Sequence, residues 1–292
     1  MGEKLFDSAF LKRLEYLRFI AKRVPPAGRH ADHPSLSKGG GVEFSDFKPY
    51  MQGEDLKNID WNVYLRLRKL FLKQFTEERD VPIHILFDVS KSMFFEKERE
   101  IAAKKTVAGF AWIGLSGHDK VFIHTFSDEP LQLYGPCSNK NTGYAMLKWL
   151  ENINPQKGTN ILKAVNKIKA LKGRRGIMVL ISDFFQKGGL EPIFHSLSGV
   201  RHSIIIVQLY HPEDRSPKFT GEVRLIDCET KDCIDCTVNS QLIESYRNAY
   251  KRFEKSIYDF CVRSRSLLFQ MDVTKDIINQ IESLFLGGRL KV

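Results

Sequence analysis

A chain of 292 residues with 42% hydrophobic and 27% charged residues has the balance of an ordinary soluble globular protein, long enough for one large or two small domains. That composition excludes wholesale disorder, collagen, a coiled coil and a disulfide-stapled miniprotein, and a chain of this length buries enough surface to fold without a metal or a crosslink. The excess of 45 Lys and Arg over 35 Asp and Glu, a formal +10, suits an acidic partner, a membrane surface or nucleic acid, but no basic tail or arginine-rich run singles out the last.

Asp7, Lys12, Arg13 and Glu15 interrupt any apolar run at the N-terminus, so it does not read as a secretory leader. No apolar stretch approaches the ~20 residues that span a bilayer. The five cysteines, Cys137, Cys228, Cys233, Cys236 and Cys261, are an odd count and fit a reducing compartment. The expectation is a cytoplasmic protein.

In residues 5–23, Leu5, Phe6, Ala9, Phe10, Leu14, Leu17 and Ile20 recur at threes and fours, a helical pattern that Pro25-Pro26 ends. Residues 26–42 read as a glycine- and serine-containing loop, with His30-Ala31-Asp32-His33 as a solvated stretch rather than a metal site. Residues 53–69 read as a short helix with Trp61 inside it, and Leu70–Phe75 as a strand. Ile83–Phe87 is a stronger strand ending at Asp88, and its near-continuous apolar character predicts burial on both faces.

From there strands and helices alternate. Helices are expected at 97–116, 144–152, 160–171 and 189–198, and strands at Val121–Phe126, Ile177–Ile181 and Ile204–Val207. Alternation of this kind predicts an α/β fold, an open and mostly parallel sheet flanked by helices. Glu222–Cys228 and Asp232–Val238 break the rhythm as a β-hairpin insertion turning at Thr230-Lys231, which would set Cys228 opposite Cys233. Cys228, Cys233 and Cys236 do not have a strong zinc spacing, so cross-strand packing is expected. A long amphipathic helix at 240–263, a strand at Leu267–Met271 and a helix at 275–285 close the chain. The expected division is residues 1–79 as an N-terminal helical and extended segment packed on the main domain, 80–285 as that domain, and 286–292 as a tail.

In an open α/β sheet, ligands sit at the carboxyl ends of the strands. Two strands here end in acids beside hydroxyls, Asp88-Val89-Ser90-Lys91-Ser92 and Ser182-Asp183, while Lys157-Gly158-Thr159-Asn160 opens a helix between them. Two carboxylates and several hydroxyls are all hard oxygen donors, which suit Mg²⁺ or Mn²⁺. Asp and Ser after a strand also serve as turn and cap residues, but separate Thr159 and Asp183 at matching boundaries favour a cation site. Its expected donors are Asp88, Ser90, Ser92, Thr159 and Asp183.

This D-x-S-x-S run, with a separate Gly-Thr and a separate Asp, resembles the metal-ion-dependent adhesion site of von Willebrand factor A domains. Ahead of it, Gly41–Tyr50, Gly53-Glu54-Asp55, Ile59-Asp60-Trp61-Asn62, Arg66, Leu72-Lys73-Gln74-Phe75 and Glu77-Glu78-Arg79-Asp80 resemble the signature of a bacterial family, domain of unknown function 58. The similarity covers about residues 10–285. The resemblance implies a von Willebrand factor A-like, Rossmann-like fold and a non-enzymatic protein-binding adaptor. It also implies a partner that donates Asp or Glu to the metal, with a MoxR-type AAA+ ATPase as the favoured candidate. Gly53-Glu54-Asp55 and Asp60-Trp61 are expected chiefly to cap a helix and anchor the N-terminal segment, with contact to that partner through Lys91, Asp60 and Trp61 as the alternative.

Other chemistries find less support. No phosphate-binding glycine loop, dinucleotide fingerprint, zincin motif or nucleophile elbow occurs in the sequence. A Mg²⁺-dependent phosphoryl-transfer enzyme with Asp88 as nucleophile is the main rival, but position 90 is Ser, where such enzymes place an acid/base carboxylate. The basic cluster Lys163, Lys167, Lys169, Lys172, Arg174 and Arg175 lies mostly at a helix C-terminus, where cations suit the dipole. No nucleic-acid module accompanies it.

Overall fold

The computed structural model describes residues 5–23, 42–52, 54, 56–77, 81–117, 119–128 and 132–286. In chain order the elements are α1 (Ser8–Arg23), β1 (Val42–Pro49), α2 (Trp61–Leu67), β2 (Phe71–Glu77), β3 (Pro82–Asp88), α3 (Lys97–Ser116), β4 (Lys120–Phe126) and β5 (Gln132–Cys137). There follow α4 (Lys140–Glu151), α5 (Ile161–Ala170), β6 (Ile177–Ser182), α6 (Glu191–Ser198), β7 (Ser203–Tyr210) and the single turn α7 (Pro212–Arg215). The chain closes with β8 (Gly221–Ile226), β9 (Cys233–Val238), α8 (Ser240–Ser264), β10 (Leu267–Asp272) and α9 (Ile277–Leu286). They form two compact units, residues 26–80 and residues 1–25 with 81–292.

In the smaller unit β1 and β2 pair antiparallel from Val42↔Glu77 to Pro49↔Phe71, with an irregularity between Phe44 and Asp46. The sequence reading has no strand at β1, because Ser45, Asp46, Lys48 and Pro49 dilute its apolar pattern. Asp60 starts α2 by accepting from the Asn62 and Val63 amides at 2.8 and 3.2 Å, an N-cap that satisfies two otherwise orphaned donors. Trp61 is therefore the first helical residue, not an interior one.

The larger unit holds a six-stranded sheet in the order β10-β7-β6-β3-β4-β5. Every pair is parallel except β4 with β5. The chain winds outward from β3 through β4 to β5, then returns to build β6, β7 and β10 on the other side. This is the doubly wound order with its switch point between β3 and β6. Strand β5 escaped the sequence reading because Gly135-Pro136 interrupts it. An edge strand tolerates a proline that a central strand would not.

The sheet separates two buried cores. Ile85 and Phe87 face one, shared with Leu14, Leu17, Ala103, Val107 and Ile281. Leu86 faces the other, shared with Ile161, Val165, Ile193, Phe194 and Ile257. Burial of alternate β3 residues on both sides explains its unbroken apolar run, and each such side chain contributes roughly 1.5–3 kcal/mol by leaving water.

Helix α1 belongs to this unit, a correction to the grouping of residues 1–79 as one segment. Its Phe10, Leu14 and Leu17, with Phe6 just ahead of it, complete the first core, and Arg13 pairs with Asp276 at 2.6 Å. The hairpin turns differently from the sequence reading. Ile226, not Cys228, faces Cys233, because the Asp227 carboxylate accepts from the Glu229 and Thr230 amides and folds residues 228–231 into the connection. The loop containing His30 and His33, and residues 287–292 of the tail, lie outside the described residues.

Candidate metal centre

Strands β3 and β6 are neighbours at the switch point, so their carboxyl ends bring Asp88, the loop of Ser90 and Ser92, and Ser182-Asp183 to one place. Asp88 is fully buried and all its contacts are internal. Its Oδ1 accepts the Ser90 amide at 3.0 Å, and its Oδ2 accepts the Thr159 hydroxyl at 3.0 Å and the Ser182 hydroxyl at 2.6 Å. The Ser90 and Ser92 hydroxyl oxygens are 3.0 Å apart. Thus Asp88, Ser90, Ser92 and Thr159 form one connected cluster. Ser182, expected only as the neighbour of Asp183, helps to anchor it.

Thr159 arrives on a loop stitched to the one that holds the two serines. The Gln156 amide donates to the Val89 carbonyl at 2.8 Å, and Ser127 donates to the Gln156 side chain at 2.7 Å. Gly158 adopts φ +69°, and a Cβ there would lie 1.9 Å from Asp128 Oδ2. Glycine is thus required both by the left-handed backbone and by the close approach. Asn160 then caps α5 through the Lys163 amide at 2.9 Å.

Asp183 is 1% exposed. Its Oδ1 accepts the Phe185 amide at 2.9 Å, while its Oδ2, sealed from solvent, has no hydrogen-bond partner among the described residues. Burial, then the charge of Asp88, push its carboxyl up to about 7; the Phe185 amide, the nearby Ser92 hydroxyl and the Arg99 charge oppose this. Burial also raises Asp88, against the hydrogen bonds from Ser182, Ser90 and Thr159. Arg99, nearly buried and held by Asp214 at 2.8 Å, is the cation the sequence reading missed. It lies in the first turn of α3, seven residues after Ser92, and no motif marks it.

Two buried carboxylates that repel each other, one with an unpartnered oxygen, beside three hydroxyls, make a donor set that fits a hard divalent cation. Among the described residues no three His, Cys, Asp or Glu side chains converge to hold a metal by themselves, so hydroxyls are indispensable to this set. The cysteines Cys228, Cys233 and Cys236 are free. Lys91 is half-buried between the serines. Asp60 and Trp61 lie in the other unit, where Asp60 is engaged as a cap and is 3.1 Å from Lys73, and Trp61 is exposed. Lys163, Lys167, Lys169, Lys172, Arg174 and Arg175 are solvent-exposed.

Among solved structures, the chain is similar to the conserved hypothetical protein BatB of Bacteroides thetaiotaomicron, at 16% identity over 71% of this chain and 98% of that one, TM-score 0.43. It is similar to the SpRpn10 von Willebrand factor A domain at 11% identity, over 70% of this chain and 95% of that one, TM-score 0.43. A third likeness is to proximal thread matrix protein 1 of the mussel byssus with a zinc-occupied adhesion-site motif, at 12% identity over 71% of this chain and 46% of that one, TM-score 0.39. The uncharacterized protein Rv1480 of Mycobacterium tuberculosis is 21% identical over 251 residues, 83% of this chain and 78% of the relative. An uncharacterized Mycobacterium bovis protein, Mb1516, matches to the same extent. Residues 46–256 match the family model described as protein of unknown function DUF58, and the chain belongs to that family.

Proposed function

We propose that the chain is a non-enzymatic, divalent-cation-dependent adaptor that recognises an acidic residue of a partner protein. The observation that carries this reading is Asp183 Oδ2, a buried carboxylate oxygen with no hydrogen-bond partner among the described residues, beside a second buried carboxylate. Unpaired buried charge is costly, and a bound cation removes that cost. Ser90, Ser92 and Thr159 would hold Mg²⁺ or Mn²⁺ directly, with Asp88 and Asp183 supplying charge through waters. Neutral hydroxyl ligands leave such an ion strongly electrophilic, ready for a carboxylate from outside. By family resemblance the favoured partner is a MoxR-type AAA+ ATPase in the cytoplasm. Among the described residues no helix is long and apolar enough to cross a membrane.

A phosphoryl-transfer role for Asp88 is less well supported. Both of its oxygens are already engaged by Ser90, Thr159 and Ser182, which lowers their availability as nucleophiles. Isothermal titration of Mn²⁺ into the wild type and into Asp88→Ala with Ser90→Ala tests the site. The expected outcome is loss of more than about tenfold in affinity, the size of one or two lost charge-assisted contacts. Equal affinities would remove the site. Partner capture that is insensitive to chelator would leave a structural scaffold instead.

A further inference from the structure

The two loops that supply the serines and Asp183 each carry an exposed aromatic ring beside the donors. Ser92–Phe94 form one 3₁₀ turn, and the Phe95 amide closes it by donating to the Ser92 carbonyl at 3.4 Å. Phe94 packs inward, its ring 6.1 Å from that of the buried Phe87, whereas Phe95 is 70% exposed. On the other loop the Phe185 amide donates to Asp183 Oδ1 at 2.9 Å. Its ring is 37% exposed and is held by α8, stacked on Phe253 at 5.5 Å and edge-on to Tyr250 at 6.3 Å. Each ring is therefore tied by a backbone hydrogen bond to a residue of the donor set.

Single apolar side chains are ordinary on a protein surface. These two differ in their place, because a side chain that reaches the cation brings its neighbours along the partner's chain beside them. Phe185 loses little freedom on contact, since α8 already fixes it, and a preorganised ring binds at lower entropic cost. The charges nearest Phe95 in the chain balance, Lys91 and Lys97 against Glu96 and Glu98. Beyond the one acid on the cation, a ligand thus gains more here from apolar contact than from further charge.

We propose that the site selects an acidic residue with a bulky apolar neighbour in the partner's chain, the acid taking the cation's open position and the neighbour packing on Phe95 and Phe185. This rests on the cation reading above. The two rings are specificity residues: they discriminate among acidic segments without holding the cation.

The test uses the full chain loaded with Mn²⁺ and two synthetic peptides, acetyl-Gly-Glu-Gly-amide and acetyl-Leu-Glu-Leu-amide, titrated by the water-proton relaxation of the bound ion. The leucine peptide should bind the wild type about five- to tenfold more tightly, the scale of partly burying one leucine. In Phe95→Ala, and separately in Phe185→Ala, that ratio should fall toward one. Phe95, being largely exposed, can be replaced without opening the core. Equal affinities for the wild type, or an undiminished ratio in variants that still bind Mn²⁺, would overturn the aromatic selection and leave the cation site standing. No Mn²⁺ binding by the wild type, or binding of neither peptide to the loaded chain, would overturn the selection together with the acid-accepting role of the site.

Discussion

Asp183 is a buried carboxylate raised by burial and by the charge of Asp88. With its folded pKa raised to about 7 from 3.8 by burial and Asp88, the native state keeps a proton that the unfolded chain releases. The stability this provides is present below about pH 4 and is lost as pH rises through 7. Metal-free Asp183→Asn should therefore be more stable than the wild type at pH 8, by on the order of 2 kcal/mol from the linked shift, as read by urea unfolding. The same variant should bind Mn²⁺ poorly. A variant no more stable than the wild type at that pH would mean that Asp183 is not strained by burial. Asp88, Ser90, Ser92, Thr159 and Asp183 were legible in the sequence because each sits at a strand end or helix start. Arg99 and Asp128 were not, since their roles depend only on what they meet across the fold.

At the scale of elements, the loop 156–159 delivers Thr159, and Gly158 sets its path. Gly158→Ala should cost about 1–3 kcal/mol through left-handed backbone strain and displacement of Asp128. It should also weaken Mn²⁺ binding, measured by titration, because Thr159 moves with the loop. Retained affinity would show that Thr159 is dispensable. Strands β3 and β4 carry a second titrating element. His84 Nδ1 and His124 Nε2 are 3.1 Å apart, and His84 also packs against His202. Burial, with His202 acting on His84 and then His84 and Lys167 on His124, lowers both imidazoles to about 4 from 6.5. The unfolded chain takes up protons at these groups before the native one does, so stability falls as pH drops from 6.5 to 4. Replacing His124 by Phe should flatten that part of the urea-midpoint profile. An unchanged slope would assign the acid sensitivity elsewhere.

On the scale of the whole molecule, α1 decides where the larger unit begins. Leu14 and Leu17 are fully buried in the core shared with α3 and α9. Leu14→Ala should lower unfolding stability by about 2–5 kcal/mol, as for other buried leucines. An effect below about 1 kcal/mol would mean that α1 is an appendage after all. The helix pattern of residues 5–23 was plain in the sequence, whereas its place was not: a stripe of apolar side chains says that something covers it, not what. Likewise β1 and β5 pair at edges where polar residues and proline are tolerated, so neither carries the apolar alternation that marks an interior strand.

By itself the sequence determined the local periods, the central buried strands and the five oxygen-bearing side chains at their ends, because each is a short-range consequence of where polar groups must leave a core. The assembled fold makes β3 and β6 neighbours and leaves one Asp183 oxygen without a hydrogen-bond partner among the described residues. Ser182 meets Asp88 across 94 positions of chain, a contact that chain order does not encode until the sheet has wound back past its switch point.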